Sequence, residues 1–533
     1  MIEPSTISTD ILDTNNPPAE HDFPALRDFI ERATARRAFL DDFIDPLKVE
    51  FDLLREERSA LEVEIRKHER AVSPLRRFPT ELMSEIFAQA VQPCEILKDS
   101  SNSYFLDMQS GPWLLSAVCS RWRGIALSQP NLWAFLPLNF RRRRSTLERV
   151  AGTLSIVQAH IDRSQNAPFK LIFIPSYTTR LLEVEQDVLG RLIPHIARWE
   201  ELVISGTPAL YKSLATRSAS TGFPTLRTLA ILVHKAGNEG IRNVFDSCPR
   251  LEEVFFNMES KDNTPVDFYV DTTILRRYGA KNSWERHIDV LSNANNLVDC
   301  VLRFTFPFRP VLTETKIQLP HLSRLAVIHN KALDFLEAPA LQELYCCDHL
   351  PELYDQLRQF PSLQKLFVGA PPHSVTVDLD SFMHSVPTVT SLCVYLPMNS
   401  APAMFKVLRT SSTTIQQNQD STSDGLPFLR TLALCIGPQS STDIGGPLNQ
   451  DELMHAIETQ WRRGLRSLHI YVAKFVPSEN TLERMETLRQ QGMHLVLEKH
   501  ALQVYQRMVE PDFRLYTDSY DLSEAMMGFW NST

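Results

Sequence analysis

Four consecutive residues, Cys346-Cys347-Asp348-His349, carry the side chains of this chain best suited to chemistry. Thiolates, an imidazole and a carboxylate can bind zinc or act as nucleophile and base. Cys346, however, occupies the third apolar position of a strand-like repeat, which predicts that it is buried in a core. No second pair of ligands follows at a spacing typical of a metal site. We therefore expect neither a metal nor thiol chemistry here.

Motifs with a known catalytic mechanism are absent from the sequence, which contains no GxSxG, GxxxxGK[ST], HExxH or GxGxxG. The 17 glycines among 533 residues also leave few places for a phosphate-cradling loop. The sequence predicts a protein that is not an enzyme and has no cofactor.

Charge and composition narrow the classes of partner. Lys plus Arg number 55 and Asp plus Glu 64, and this net charge of -9 offers no general attraction to nucleic acid. No apolar stretch is long enough to cross a membrane, and no secretory signal precedes the first helix. The eight cysteines include no CxxC pair. We expect a reduced cytoplasmic or nuclear location, with no nucleic acid and no membrane as partner.

A run of four arginines, 141–144, permits two interpretations. It could be recognised for nuclear import or hold a phosphate. The simpler alternative is a solvated connector before the next helix.

A repeated pattern organises the second half of the chain. Each copy has an apolar residue, two variable residues, an apolar residue, one variable residue and a further apolar residue, usually after a proline, as in Pro361-Ser362-Leu363-Gln364-Lys365-Leu366-Phe367-Val368. The copies begin at Leu226, Leu251, Leu297, Leu322, Leu341, Leu363, Val389, Leu429 and Leu465. This spacing resembles leucine-rich repeats, whose stacked coils form a solenoid with one elongated core.

Strand alternation in these repeats predicts which side chains face outward. If Leu251, Val254 and Phe256 point into the core, Phe255 lies on the concave surface of the solenoid. The same rule yields a stripe of outward-facing side chains that we predict to bind a protein target: Phe255, Tyr345, Phe367, Tyr395, His469 and Tyr471. Aromatic side chains bordered by charges are typical of protein recognition surfaces. Alternatively, the C-terminal tail or a long loop covers the stripe.

A helix is predicted from Phe23 to Val72, and Pro74 ends it. Leu47, Leu54, Leu61 and His68 recur every seven residues, and Arg58 interrupts this seam. About three heptads support a coiled coil. The helix could therefore pair with a second copy in a homodimer or fold back onto the residues that follow.

Two apolar helical patterns follow this helix. The first contains Phe78-Pro79, Glu81-Leu82 and Ile86-Phe87. The second contains Leu114-Leu115, Val118-Cys119, Arg121-Trp122-Arg123 and a late Leu132-Trp133. Short helices with apolar edges on several sides cannot bury all of them against each other, so some of this surface requires a partner.

These two patterns together resemble an F-box, in an F-box protein with leucine-rich repeats of the type abundant in mushroom-forming fungi. The sequence departs from the family in one respect, since residues 92–111 form a polar insertion where most F-boxes have a short loop. The resemblance implies docking on a Skp-family adaptor and, through it, a cullin. The implied adaptor-binding residues are Pro79, Leu82, Ile86, Phe87, Leu114, Leu115, Val118, Trp122, Ile125, Leu132 and Trp133.

The expected fold class is α/β, with an all-α F-box before an irregular leucine-rich-repeat solenoid. The expected divisions are a disordered lead (1–22), an amphipathic helical segment (23–73), the F-box-like domain (74–137), a linker and capping region (138–198), the solenoid (199–498) and a C-terminal cap or tail (499–533). The implied function is that of a substrate receptor in an SCF-type cullin ubiquitin ligase. The alternative is a scaffold that is not part of a ligase, whose F-box-like region packs internally or which dimerises through its first helix.

Overall fold

The computed structural model of this chain describes residues 18–91, 111–140, 147–176, 183–206, 208–218, 222–233, 244–258, 270–304, 316–346, 353–369, 385–398, 401–410, 426–437, 448–472 and 476–497. The predicted lead before residue 18, residues 92–110 of the insertion, the four arginines, Cys347 to His349 and the tail after residue 497 lie outside the described residues. No helix among the described residues is long and apolar enough to span a membrane.

The chain divides into two compact units, residues 1–83 and 84–533. The first contains the 50-residue helix α1, Phe23–Val72, which continues through Pro46 and ends just before Pro74, as the sequence predicted. A short 3-10 turn, Pro74–Arg76, follows it. The division falls inside helix α2, Thr80–Ala90.

The second unit alternates helices and strands. Its further helices are α3 Gly111–Val118, α4 Ser120–Leu127, α5 Pro130–Trp133, α6 Leu147–Ser164, α7 Glu183–Leu192, α8 Pro208–Ser218, α9 Trp284–Leu291, α10 Leu353–Leu357, α11 Ala401–Thr410, α12 Gln450–Arg463 and α13 Glu479–Gln490. Its strands are β1 Phe135–Asn139, β2 Phe169–Ile174, β3 Trp199–Gly206, β4 Thr228–Val233, β5 Glu253–Met258, β6 Arg277–Asn282, β7 Asp299–Phe304, β8 Ile317–Gln318, β9 Arg324–Val327, β10 Leu336–Glu337, β11 Glu343–Cys346, β12 Lys365–Gly369, β13 Ser391–Pro397, β14 Thr431–Gly437, β15 Ser467–Val472 and β16 His494–Leu497.

The described strands form one 14-stranded sheet in which neighbours in space follow the order of the sequence. Every strand pair in it is parallel, and only β8 and β10 lie outside it, paired with each other. Between two adjacent parallel strands the chain must cross back to the end of the sheet where the first strand began. Helices such as α6, α7 and α12 form these crossover connections. This large parallel sheet in a mixed α/β fold is consistent with a solenoid of the leucine-rich-repeat kind.

The repeat pattern corresponds to a recurring turn before each strand. The first leucine of a copy closes the turn, as where the Leu363 N–H donates to the Phe360 carbonyl at 3.2 Å. Pro361 stands at the second position of this turn, where its fixed φ fits and no N–H is needed. The leading apolar residues of the predicted copies are all buried, from Leu226 to Leu465, so their assignment to the core is confirmed.

The sheet begins earlier than the predicted solenoid. Its first strand, β1, starts at residue 135, at the end of the predicted F-box-like domain, and β2 lies inside the predicted linker and capping region 138–198. β1 pairs with β2 and β2 pairs with β3. Leu136, Leu138, Leu171 and Phe173 belong to the same core as the later repeats. The sequence did not indicate this because these strands lack the proline and the leading leucine of the later copies.

The described cysteines are all free, and five of them, Cys248, Cys300, Cys346, Cys393 and Cys435, are buried. Cys346 packs in the main core, as its place in the repeat predicted. The exception is Cys119, which is exposed and accepts a hydrogen bond from the Trp122 N–H at the start of α4.

Candidate interaction surfaces

Helix α2 has one buried and one exposed apolar stripe. Met83 and Phe87, one turn apart, are each 1% exposed. Leu82 and Ile86 are likewise one turn apart and are 55% and 43% exposed. A helix that packs on a single side needs only one such stripe, so the second one is available to a partner.

Helix α3 repeats this arrangement. Leu114 and Val118 lie one turn apart and are 51% and 55% exposed, while Leu115 is half-buried. We call Leu82 with Ile86 and Leu114 with Val118 the exposed apolar pairs. Trp122 on α4 is half-buried, and its ring lies 5.0 Å from that of Phe87.

Four residues of the predicted adaptor-binding set are buried within the chain: Phe87, Ile125, Leu132 and Trp133. Contact of these side chains with an adaptor would require the helices to separate. Trp133 is fully enclosed because its ring meets Trp113 edge-on at 5.1 Å and its Nε1–H donates to the Ala126 carbonyl at 2.8 Å. These four residues therefore support the helices from inside, in contrast to the expectation that their side chains are accessible to an adaptor.

A histidine on α6 joins these helices to the first coils of the sheet. His160 Nδ1–H donates to the Trp133 carbonyl at 2.9 Å, and its Nε2 accepts from Trp113 Nε1–H at 2.9 Å. The guanidinium of Arg163 lies over both indoles, 4.3 Å from the Trp113 ring and 4.4 Å from the Trp133 ring. Burial lowers the pKa of His160 to about 4, and Arg163 acts in the same direction. The neutral imidazole therefore fixes the α3 and α5 helices on α6.

The sheet face turned away from the core has a row of polar side chains in register across thirteen strands. We call it the polar row: Lys170, Glu201, Thr228, Glu253, Arg277, Asp299, Arg324, Glu343, Lys365, Ser391, Thr431, Ser467 and His494. Opposite charges alternate along much of it, and neighbouring strands about 4.8 Å apart bring them into contact.

Asp299 is the most enclosed member of the polar row. It is buried between two arginines, with Arg277 Nε at 2.9 Å and Arg324 Nε at 2.6 Å. The Arg324 contact is bidentate, since its second nitrogen also lies 2.6 Å from the carboxylate. The ends of the row are more open, and the Lys170 and Glu201 side chains are each about 40% exposed. The row thus combines a buried centre with solvated ends.

A second row runs parallel to the polar row, two residues further along each strand. We call it the central row: Ile172, Val203, Ala230, Phe255, Gly279, Val301, Ala326, Tyr345, Phe367, Cys393, Ala433, His469 and Val496. The Phe255 ring packs on Gly279, where an added Cβ would come within 2.7 Å of the ring. Tyr345 stacks on Phe367 with ring centroids 6.1 Å apart, and its hydroxyl donates to Glu343.

The prediction that the aromatic stripe is exposed is wrong in part. Tyr345, Phe367 and His469 are buried, whereas Phe255 and Tyr471 are half-buried. Large side chains on adjacent strands cover one another along the row, which single-strand alternation does not reveal. Tyr395 is in register with Gly369 on β12 and Cys435 on β14, and its side chain lies outside the described residues. Binding of a target by these residues stays a prediction.

The ion pairs of the polar row and the His160 cluster were missed from the sequence. Strand alternation already placed polar residues such as Glu343 and Lys365 on the same outward face as the aromatic stripe. Which of these residues pair with each other depends on strand register. Among the described residues, no group of three or more His, Cys, Asp or Glu is placed to hold a metal ion.

Comparison with known proteins gives little further information. No family model matches the chain. No curated protein matches it either. Among solved structures, the chain is similar to the "Crystal structure of TLR13-ssRNA13 complex" at 11% identity, with a TM-score of 0.31, over 57% of this chain. The chain spans 42% of the length of that protein chain.

Proposed function

We propose that this protein is a substrate receptor, without catalytic activity of its own, of an SCF-type cullin ubiquitin ligase acting in the cytoplasm or nucleus. In this role the helices from α2 to α5 form an F-box that docks on a Skp-family adaptor, and the sheet of the second unit holds a protein target. The sequence pattern from Phe78 to Trp133 is the basis for the F-box assignment.

The observation that carries this proposal is the presence of the exposed apolar pairs on α2 and α3. Both helices bury one side of their apolar surface and leave about half of each side chain of the exposed apolar pairs in water, where that area contributes nothing to the stability of the isolated chain. Burying them against an adaptor would gain about 25 cal/mol for each Å² removed from water. Trp122, which follows Val118 in the sequence pattern, is half-buried. It supplies an aromatic anchor of the kind that dominates such interfaces.

The target surface in this proposal is the face of the sheet that carries the polar and central rows. Phe255 and Tyr471 offer accessible aromatic edges, and the open ends of the polar row offer charge. A protein segment with both apolar and charged side chains would fit this combination.

The test is binding of the full chain to a recombinant Skp-family adaptor, measured by calorimetry. The double variant L114D/V118D should weaken binding by at least about thirtyfold, because two interface anchors become charged. Its control is L482D on α13, where a leucine of similar exposure (45%) lies on a solenoid helix. A parent chain that does not bind the adaptor, or a double variant that binds as tightly as the parent, would refute the proposal.

A further inference from the structure

Helix α1 has a large exposed apolar surface. At 1.5 Å per residue its 50 residues span about 75 Å, and none of them is buried among the described residues. Its exposed large apolar side chains are Phe23, Ile30, Phe39, Leu40, Phe43, Ile44, Leu47, Val49, Phe51, Leu53, Leu54, Leu61, Val63, Ile65 and Val72. A helix of this kind obtains most of its stability from packing, and Pro46 in its interior increases that need.

Eleven of the apolar residues of α1 lie on a heptad seam that runs the length of the helix. The seam advances by alternating steps of four and three: Leu26, Ile30, Ala33, Arg37, Leu40, Ile44, Leu47, Phe51, Leu54, Arg58, Leu61, Ile65, His68 and Val72. All are apolar except Arg37, Arg58 and His68. A seven-residue apolar repeat sustained over seven heptads is the pattern of a coiled coil, and it is twice as long as the part recognised from sequence.

We propose that α1 pairs with α1 of a second copy of this chain in a parallel two-stranded coiled coil. The first positions of the seam hold four β-branched residues together with Phe51 and the two arginines, and the fourth positions hold mainly leucine. β-branched residues at the first position with leucine at the fourth favour two parallel strands. The partner of the seam is therefore a second α1. In a parallel pair each seam residue then lies beside the same residue of the other helix.

The size and charge of the seam fit this partner. Eleven apolar side chains at roughly 60–120 Å² each would bury about 700–1,300 Å² per helix, near or above the 800 Å² per partner of a stable interface. In the parallel register Glu50 of one helix lies beside Arg55 of the other, which is an attractive pair. Pro46 falls on the outer side of the helix, where it does not interrupt the seam. The two seam arginines favour a pair over larger bundles, since a polar residue at this position sets register and number of strands.

This proposal does not depend on the adaptor-binding function. A dimer would place two target surfaces in one assembly, and a target with two binding motifs would be held more tightly than either surface alone allows.

The experiment is light scattering and sedimentation of the full chain without any partner. The parent should have twice the 60.9 kDa mass of one chain at micromolar concentration. The seam variant L47E/L61E should have the mass of a single chain. Its matched control is V49E/V63E, which introduces the same charges two residues further on, at exposed valines on the outer side of the helix, and should remain a dimer. Because no residue of α1 is buried, both substitutions should leave the melting of the second unit unchanged, which shows that a change in mass does not come from unfolding of that unit.

A parent chain that sediments as a monomer, or control and seam variants that dissociate equally, would overturn the dimer. The parallel orientation has its own test, since E50R should weaken dimerisation about two- to fivefold and the exchange E50R/R55E should restore it. An exchange that fails to restore dimerisation would exclude the parallel register.

Discussion

The N-terminal helices and the sheet differ in how they treat apolar side chains at outward-facing positions. On α1, α2 and α3 such side chains remain exposed, whereas in the central row Tyr345, Phe367 and Cys393 are buried although they face away from the core. Each row residue inside the sheet is flanked on both sides by row residues about 4.8 Å away, and these cover much of its side chain. The outward side chains of a helix diverge around its axis, so they are fully covered only where another element packs on them. Exposed apolar surface in this chain is therefore concentrated where we expect partners to bind.

The strongest test of this contrast concerns the buried charge at the centre of the polar row. The variant D299A leaves Arg277 and Arg324 without the carboxylate between them, and we expect it to lower the free energy of unfolding by about 3–5 kcal/mol. The matched control is E201A, which removes the partner of Lys170 at the open end of the row and should cost less than about 1 kcal/mol. Chemical denaturation measures both, and equal losses would mean that burial does not distinguish the two positions.

The second test uses pH to probe the contact between the helices and the sheet. Burial lowers the pKa of His160 from 6.5 to about 4, so the native state resists protonation that the unfolded chain accepts. The stability that the neutral His160 contributes is fully present above pH 6.5 and is lost as pH falls from 6.5 towards 4, by about 3 kcal/mol for this one group.

Burial also lowers the pKa of His287 to about 4, and its ring accepts from the Tyr278 hydroxyl and donates to the Arg303 carbonyl.

Denaturation at pH 7.5 and pH 5 measures this effect. The variant H160Q should be less stable than the parent at pH 7.5 and should lose less stability on acidification. A parent whose stability is unchanged between these pH values would contradict the assignment of neutral, buried histidines.

The smallest expected effect is at the exposed apolar pair on α3. The variants L114A and V118A should change the free energy of unfolding by less than about 0.5 kcal/mol, because neither side chain is packed. L344A, at a fully buried position of the sheet, should cost about 2–5 kcal/mol. Thermal melting compares them, and a large loss in L114A would show that the α3 surface is covered within the chain.

Much of the fold followed from the sequence because its determinants are local. The repeat beginning at Leu363 predicted a turn, a strand and a buried side, since proline geometry and strand alternation act within a few residues. The α1 helix and its end before Pro74 were predicted for the same reason. The strands β1 and β2 were missed because they lack the leading leucine of the later copies, so that only the pairing of β1 with β2 and of β2 with β3 shows that they belong to the sheet.

The sequence predicted only part of the residues on the candidate interaction surfaces. The sequence placed Leu82, Ile86, Leu114 and Val118 at helical spacing, but it equally included Phe87 and Trp133, which the fold encloses. Periodicity defines which side chains share a face, whereas the covering of that face depends on elements distant in sequence, such as α6 with His160. The sequence by itself thus determined the elements and the apolar sides of this protein. The tertiary structure decided which of those sides remain in water, because burial is set by contacts between segments that no local pattern records.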